Sequence, residues 1–572
     1  MTARESALMI ALSVAVAIVM SWPLTLHLSS KLPQGASRDP FYLAWEVAWE
    51  GHALVHQPQR FYDANIFWPA RDSLALTDVS IGYAPAGLLG SGLTAAVIRY
   101  NVLWLFSYAL AFSGAYLLAR ELTSGVTGAV IAGASFAYAP WRLAQQQHLH
   151  ILSTGGIPLS LFLLLRGWRE KRPVLILTGW LVATWQLSLG FGLGLQFAYL
   201  IGVIVSVSVV LWLALGRPHL DSGAVVASSV GLAIFVSVGL ILAIPYYRVA
   251  REHPEMRVQR TVDYVGPLSP PPSGYLAAPR QSFVWGGPTR SFREGLSVPG
   301  EQTLFPGVLT VLLAGAAVVA SRHPRRLTFG LLAAVVVSGI LSLGFGLLHG
   351  NLGYRLLWAY APGWQGIRTP GRTTTMTTLG LALLAGLGGS LVVRAILRSP
   401  QPTIFSRVVA VGVSAVLVGG ILLEGAGRTP YVTIPSAPTA LDRAQSPRLD
   451  LPASHSSDFL YQFWSTDGFP PLVNGYSRFM PCTSAGIRWA VRSFPDRRSV
   501  AFLESLGVRT VVLHTDLARD SPWRDVQRRP VLDLGLRTER VDHLVIYHLQ
   551  PMASDAWQAD PAVRHCFRLG AR

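Results

Sequence analysis

The chain has 572 residues, of which 51% are hydrophobic and only 13% are charged. A soluble protein carries roughly twice that charged fraction, so the composition excludes an ordinary soluble enzyme and indicates a polytopic helical membrane protein. The net charge of +17 does not by itself indicate nucleic-acid binding, because topology and anionic lipid explain most Lys and Arg residues of a membrane protein.

Hydropathy and segment length predict about eleven membrane-spanning helices, because about 20 apolar residues are needed to cross the hydrocarbon core. The first is interpreted as a retained helix, since it lacks the small-residue cleavage site of a signal peptide. The predicted spans are 7–28, 101–119, 124–140, 151–166, 174–189, 191–215, 224–247, 303–320, 327–348, 374–393 and 408–424.

The short loops between these spans predict the orientation. Those on one side are rich in Lys and Arg, and the positive-inside rule makes that side cytoplasmic. The N-terminus is then inside, in the cytoplasmic (inner) membrane. The outer parts are the loops 29–100, 248–302 and 349–373 and everything after residue 424.

The first outer loop begins with the stretch "SRDPFYLAWEVAWE" at residues 37–50. Asp39 followed by Pro40 is a helix-start signal, with Asp39 as the N-cap of a helix that runs to about residue 55. Asp39, Glu46 and Glu50 fall on one face of that helix. One interpretation is an interfacial helix that lies in the headgroup layer through its tryptophans. The other is a set of carboxylates for chemistry at the outer surface.

Three more polar stretches lie on the predicted outer side, in the long outer loops or at the outer ends of spans. Residues 61–78 add the side chains of Asp63, Asn65, Asp72 and Asp78. The Gly-rich segment 81–97 is predicted as an interfacial or re-entrant helix, because counting it as a span would move the basic loops outside. Residues 141–150 add Arg142, Gln145, His148 and His150, and residues 363–372 add Arg368 and Arg372.

Each of these stretches has two interpretations. The histidines and glutamine fit plain interfacial polarity or a binding site, and the arginines fit lipid headgroups or a bound phosphate. The chain contains no D-x-D motif, so no cofactor is predicted, and a divalent metal stays an open alternative. The predicted spans hold few charged residues at mid-depth, where ion-coupled transporters place them. The pattern therefore favours an enzyme that acts on a membrane-borne substrate at the outer surface.

After residue 424 the chain gains Asp, Arg and Pro and has no long apolar run. Residues 499–508 are predicted to form a helix, and "RTVVLH" and "HLVIYHL" are predicted strands. The sequence thus predicts a membrane domain over 1–424 and an extracytoplasmic α/β domain over 425–572. Its cysteines, Cys482 and Cys566, would lie in an oxidising compartment and could pair.

These stretches resemble the GT-C class of integral-membrane glycosyltransferases, which includes the protein mannosyltransferases. In that class an acidic residue follows the first span, and a multi-span core and often an outer C-terminal domain come next. The chain is also similar to a group of bacterial YfhO-like membrane proteins described as glycosyltransferases. The matching residues are Asp39-Pro40 with Trp45 and Trp49, 63–67 with Pro69, 142–145 with His148, 368–372, and the tail stretches "LVNGYSRFMP" at 472–481 and "LGVRTVVLH" at 506–514.

The resemblance implies a hexosyl- or pentosyltransferase that uses a polyprenyl-phosphate sugar outside the cytoplasmic membrane, with an envelope glycan, lipid or protein as acceptor. Asp39 would be the general base, and Arg368 and Arg372 would stabilise the leaving phosphate. Some GT-C enzymes have paired acidic residues where this chain has only Asp39, which favours a metal-free, single-base site. The other candidate substrate-binding residues are Glu46, Asp63, Asn65, Asp78, Arg142, Gln145 and His148.

Two alternatives stay open at the level of sequence. One is a transporter or flippase of lipid-linked sugars, with the same outer surface and no bond formation. The other is a non-catalytic envelope-assembly protein that retains the fold. The sugar, the acceptor and the linkage are not encoded in any recognisable pattern.

Overall fold

The computed structural model of the chain describes residues 3–33, 38–122, 125–217, 219–320, 325–397 and 403–570, and most of these are helical. Helices lie over all of the predicted spans. Their bounds are Ala3–Met20, Gly92–Glu121, Val126–Ala137, Gly156–Arg169, Pro173–Leu187, Phe191–Ala214, Ser222–Glu252, Val308–Ala320, Arg325–Ser342, Thr374–Ile396 and Ile404–Gly425. Short helices in the loops are Ala84–Gly87, Leu149–Leu152, Val262–Val265, Arg290–Glu294, Pro299–Gln302 and Tyr354–Tyr360.

Within the described ranges, seven helices are long and apolar enough to cross a membrane. Two further apolar helices, Pro173–Leu187 and Val308–Ala320, are shorter. The protein is therefore embedded in a membrane, while the exact number of spans and their orientation stay predictions. The boundary between the two predicted domains, at 424/425, also stays a prediction.

Close packing of the central helices depends on glycine. A Cβ atom on Gly128 would collide with the backbone of Gly386, and a Cβ on Gly386 would collide with that of Gly128. The helices Val126–Ala137 and Thr374–Ile396 therefore touch through their backbones, as small residues allow between membrane helices.

The first outer loop differs from prediction in two places. Helix Gly92–Glu121 begins well inside the predicted loop 29–100, and residues 81–97 are not one interfacial helix. The helical structure is interrupted around Gly90 and Gly92. Both glycines have a positive φ, a conformation that glycine adopts at little cost. Hydropathy could not locate this break, because both sides of it are apolar.

The helix after Asp39 spans Asp39–His56, close to its predicted length, but it does not lie in an exposed interfacial layer. Trp45 is fully buried and Trp49 is 3% exposed. The Phe41 ring lies 5.3 Å from that of Phe459 and 5.1 Å from that of Phe463. Residues from the C-terminal part cover this helix, so its tryptophans are packing residues and the headgroup interpretation is wrong.

The C-terminal part contains a four-stranded sheet. Its strands are β3 (Arg448–Leu451), β4 (Thr510–His514), β5 (Arg537–Val541) and β6 (Leu544–His548), in the order β3-β4-β6-β5. Strands β3 and β4 are parallel, and the other pairs are antiparallel. The two predicted strands match β4 and β6, whose β-branched runs fit a buried sheet. Helices His455–Trp464, Cys482–Ala490, Arg497–Ser505 and Pro561–Gly570 accompany the sheet.

A disulfide stabilises the C-terminal part, and a strand pair connects it to the first outer loop. A disulfide joins Cys482 to Cys566, with 5.7 Å between the Cα atoms. Strand β1 (Lys31–Pro33) in the first outer loop pairs antiparallel with β2 (Tyr431–Thr433). The first outer loop and the C-terminal part are thus joined by main-chain hydrogen bonds.

Candidate active site

Asp39 is the first residue of its helix and not the N-cap, which is Arg38. The predicted capping role is therefore wrong, and the carboxylate points to other elements. Its Oδ2 lies 2.9 Å from Nε2 of His148, and its Oδ1 accepts a hydrogen bond of 3.1 Å from the Tyr476 hydroxyl. The Asp39 side chain is 30% exposed, so it is oriented by the protein and still accessible to a substrate.

His148 is held in place by Gln145. The Gln145 amide Nε2 donates to the Gly300 carbonyl at 2.8 Å, and its Oε1 lies 2.9 Å from Nδ1 of His148. With Oε1 as the acceptor, Nδ1 carries a proton. The 2.9 Å contact on the other side then requires a second proton between Nε2 of His148 and Asp39. Asp39 and His148 therefore share one proton across this contact, which orients the carboxylate.

Arg372 and Glu301, whose side chains are 12% and 14% exposed, form a second part of the site. Nη2 and Nε of Arg372 donate to the two Glu301 oxygens at 2.7 and 3.2 Å, the bidentate geometry typical of strong pairs. Burial by itself raises the pKa of Glu301, but the nearby Arg372 and His148 outweigh it and bring that pKa below its usual value. Glu301 is therefore ionised and fixes the guanidinium of Arg372.

Two more arginines lie near Arg372. Arg368 donates to the Tyr264 hydroxyl at 3.3 Å. Burial, together with repulsion from Arg368 and Arg372, lowers the pKa of Arg478 to about 9, against the opposing effect of Asp78. In the described part of the chain, the buried Nε atoms of Arg368 and Arg478 have no hydrogen-bond partner. The cluster thus has unused donors and more cations than anions, which suits a bound anion.

A cavity of about 720 Å³ opens beside this arginine cluster. Arg478, Asp78 and Arg260 are the charged residues in its lining. The rest of its wall is mostly apolar and comes largely from the helices Phe191–Ala214 and Ser222–Glu252 and from the segment 358–367. The cavity therefore combines one arginine of the cluster with a largely apolar wall.

The structure brings Asp39, His148 and Arg368 close to the Arg372–Glu301 pair, with Gln145 bonded to His148, while their roles in a reaction stay predictions. Asp78 also lies at the cavity, where its Oδ1 and Oδ2 accept from the backbone N–H of Phe191 and Gly192 at 2.5 and 3.1 Å. Those two residues begin helix Phe191–Ala214. Asp78 is thus fixed by a helix N-terminus, where negative charge is stabilised.

The other predicted site residues make contacts that account for them structurally. Asp63 accepts from the backbone of Asp72 at 2.8 Å. Glu46 accepts from the backbone N–H of Ser80 at 2.8 Å. Arg142 is buried and donates to the Leu152 carbonyl at 2.8 Å.

Asn65 has three partners. It accepts from Nε1 of Trp45 at 3.2 Å and donates to the Ser465 hydroxyl and the Pro470 carbonyl, both at 2.9 Å. It therefore links the first outer loop to the C-terminal part. A role in substrate binding stays a prediction for Asn65, Asp63, Glu46 and Arg142.

Sequence reasoning missed Glu301, Tyr476 and Arg478 as site residues. The stretch "LVNGYSRFMP" at 472–481 contains the last two, and its familiar pattern was the only signal for them. Glu301 had no such signal in the sequence, since the predicted loop that contains it has no recognisable motif. No group of three or more His, Cys, Asp or Glu side chains that could hold a metal ion occurs in the described ranges. The metal-free site stays a prediction.

Comparisons with known proteins give a fold. No protein-family model matches the sequence, and no curated protein matches it. A solved structure of the arabinofuranosyltransferase AftD from mycobacteria is similar, with a TM-score of 0.58 and 15% identity. The match covers 96% of this chain and 40% of AftD. A structure of an AftD mutant matches with a TM-score of 0.52 and 14% identity, over 97% of this chain and 42% of the other.

An oligosaccharyltransferase from Archaeoglobus fulgidus, solved with Zn and sulfate, matches at a TM-score of 0.38 and 14% identity, over 89% of this chain and 68% of that one. This score is too low to support an argument. The AftD matches show that the chain has a GT-C fold, as the sequence predicts. The chain spans about 40% of the length of AftD, and at this identity the likeness is one of fold alone.

Proposed function

We propose that this protein is a GT-C glycosyltransferase of the cytoplasmic membrane, related to the YfhO-like group. It transfers a hexose or pentose from a polyprenyl-phosphate donor to an envelope acceptor on the outer face. One observation carries the proposal. The accessible carboxylate of Asp39, bonded to His148 and Tyr476, lies near a partly buried arginine cluster, one member of which lines a largely apolar cavity.

The cavity fits the two chemical parts of such a donor. Its apolar wall includes Leu195, Phe235 and Leu240. This wall offers an isoprenoid chain an environment as apolar as the surrounding lipid. The charged lining of the cavity includes Arg478, with Arg368 and Arg372 close by. Guanidinium groups bind phosphate oxygens through paired, charge-assisted hydrogen bonds. A sugar on the phosphate would then project toward Asp39.

The chemistry follows from these positions. Asp39 takes the proton of an acceptor hydroxyl, and the resulting oxygen forms a bond to the anomeric carbon of the sugar. The bond between that carbon and the phosphate oxygen breaks, and its electron pair leaves on the polyprenyl phosphate. The arginine cluster stabilises the negative charge of this leaving group. Asp39, whose side chain is 30% exposed, then releases the proton to solvent, while its 2.9 Å contact with His148 keeps the carboxylate in place.

The test uses purified protein in nanodiscs with a panel of polyprenyl-phosphate hexoses and pentoses, and envelope extract as the source of acceptor. We expect one donor to be consumed, with an equal amount of polyprenyl phosphate released, as measured by mass spectrometry. A donor panel that stays intact overturns the proposal. Movement of a fluorescent lipid-linked sugar between leaflets without its consumption would identify a flippase instead.

A further inference from the structure

The residues 472–481, here called the insertion segment, pass between the C-terminal part and the first outer loop. Three backbone hydrogen bonds join the two. Leu472 donates to the Asn65 carbonyl at 2.7 Å, and Trp68 donates to the Leu472 carbonyl at 2.8 Å. Phe67 donates to the Asn474 carbonyl at 3.1 Å. The insertion segment is therefore held to the loop that carries Asp39 by bonds that do not depend on side chains.

Buried side chains hold the same segment on its other side. Asn474 is 3% exposed; it accepts from the backbone of Asp450 at 2.7 Å and donates to Asp458 at 2.9 Å. The backbone N–H of Tyr476 donates to Oε1 of Gln462 at 2.8 Å. Buried polar groups that are hydrogen-bonded across a contact in this way favour one position for a segment. The position of Tyr476 is thus set by the C-terminal part.

Two side chains of the insertion segment reach two different parts of the site. The Tyr476 hydroxyl donates to Oδ1 of Asp39 at 3.1 Å. Arg478, two residues later, lines the cavity with Asp78, and its buried Nε has no partner in the described residues. One short piece of chain therefore touches both the candidate base and the candidate phosphate site.

We propose that the insertion segment completes the active site and makes the C-terminal part compulsory for turnover. Tyr476 is a positioning residue, which fixes the carboxylate of Asp39 so that Oδ2 faces His148. Arg478 is a binding residue for the phosphate of the donor and of the released lipid. The inference rests on the proposed function and adds that both halves of the reaction depend on one segment.

The two side chains give separable effects. Tyr476→Phe removes one hydrogen bond to Asp39, and we expect kcat to fall roughly tenfold while the KM for the donor is unchanged. Arg478→Gln removes a charged donor from the phosphate site, and we expect the affinity for undecaprenyl phosphate to fall by roughly tenfold or more. Arg478→Lys should recover part of that affinity through its charge alone.

Matched variants control for loss of a hydroxyl or a charge. Tyr461→Phe removes a buried hydroxyl of the C-terminal part that lies 3.4 Å from the Pro452 carbonyl. Arg492→Gln removes an exposed cation of the same part. Neither residue contacts Asp39 or the cavity, so kcat and lipid affinity should both stay at the wild-type value. Thermal unfolding of every variant identifies any that fail to fold.

The experiment measures kcat and KM with whichever donor the panel shows to be consumed. It separately measures binding of undecaprenyl phosphate to nanodisc-embedded protein. Wild-type kcat in Tyr476→Phe, or wild-type lipid affinity in Arg478→Gln, overturns the inference for that residue. If no donor is consumed by the wild-type protein, the proposed function and the role of Tyr476 fail together. The role of Arg478 is then still decided by the binding measurement, which needs no turnover.

Discussion

Asp39 shows how a shift of one residue changes the role of a side chain. As an N-cap its carboxylate would bond to the first backbone N–H groups of its own helix. As the first helical residue it bonds to His148 and Tyr476 instead. Its proximity to a proton carrier and its exposure suit a general base better than a structural cap.

The substitution Asp39→Asn tests this role. Because an amide cannot take a proton, we expect transfer to fall by about 10²–10⁴-fold. Thermal stability and binding of undecaprenyl phosphate should be unchanged, since Asn keeps the size and the acceptor oxygen. Glu50→Gln on the same helix is the control and should transfer sugar at close to the wild-type rate. If Asp39→Asn retains more than about a tenth of wild-type transfer, the base is another residue.

Glu46 and Glu50 are the most unusual carboxyls of the first outer loop, because both are fully buried. Burial raises the pKa of Glu46 to about 8, with Asp78 adding to the rise and Ser80 opposing it. Burial and the neighbouring Glu46 raise the pKa of Glu50 well above its usual value. The folded protein therefore favours protonated carboxyls here.

The consequence is a pH-dependent stability. A raised carboxyl pKa contributes stability that is complete below the unfolded pKa of about 4.5 and is lost as the pH rises through about 8. We expect the thermal midpoint of the wild type to fall between pH 5 and pH 8. Glu46→Gln, which stays neutral, should flatten that fall, as measured by thermal unfolding at pH 5, 7 and 9. Equal slopes in the two proteins would show that Glu46 is ionised in the folded state.

At the scale of elements, Glu424 joins the ends of two apolar helices. It lies in the last turn of helix Ile404–Gly425. Its Oε1 and Oε2 accept from the backbone N–H groups of Val308 and Leu309 at 3.1 Å, at the start of the helix Val308–Ala320. Nε1 of Trp285 donates to the same carboxylate at 3.1 Å. The carboxylate satisfies N–H groups that have no partner within their own helix.

Glu424→Ala would leave these donors buried without an acceptor. We expect it to lower the free energy of unfolding by about 1–3 kcal/mol while turnover per folded molecule is unchanged. Glu424→Gln keeps one acceptor oxygen and should cost less. Thermal unfolding and a transfer assay on the two variants check this expectation. A loss of turnover without loss of stability would mean that Glu424 acts in the site.

At the scale of the whole molecule, the predicted topology places the N-terminus inside and the C-terminal part outside. Single cysteines introduced at positions 170 and 455 test it in intact cells, because the native cysteines are joined in a disulfide and do not react with maleimides. We expect an impermeant maleimide to label position 455 and not position 170. Labelling of position 170 from outside, or protection of position 455, would invert the topology.

The disulfide between Cys482 and Cys566 closes a loop with a sequence separation of 84 residues. Its reduction should cost the C-terminal part roughly 2–4 kcal/mol, because the unfolded chain regains conformational freedom. Cys482 directly follows the insertion segment, so we expect reduced protein to be cleaved faster by protease in that segment. The double variant Cys482→Ser/Cys566→Ser should be insensitive to reductant. Two free thiols in protein from its native compartment would refute the pairing.

The sequence by itself determined the membrane class, the approximate positions of the long apolar helices and the strands β4 and β6, because hydropathy and side-chain periodicity are local properties. It also singled out Asp39, His148 and Arg372 by their polarity at the ends of apolar segments. The tertiary structure alone decided that Tyr476 meets Asp39, since 437 residues separate them. It likewise decided that Trp45 and Trp49 are buried and that Glu301 pairs with Arg372. These contacts arise from how distant segments pack, and no local pattern of residue types records which segment will cover which.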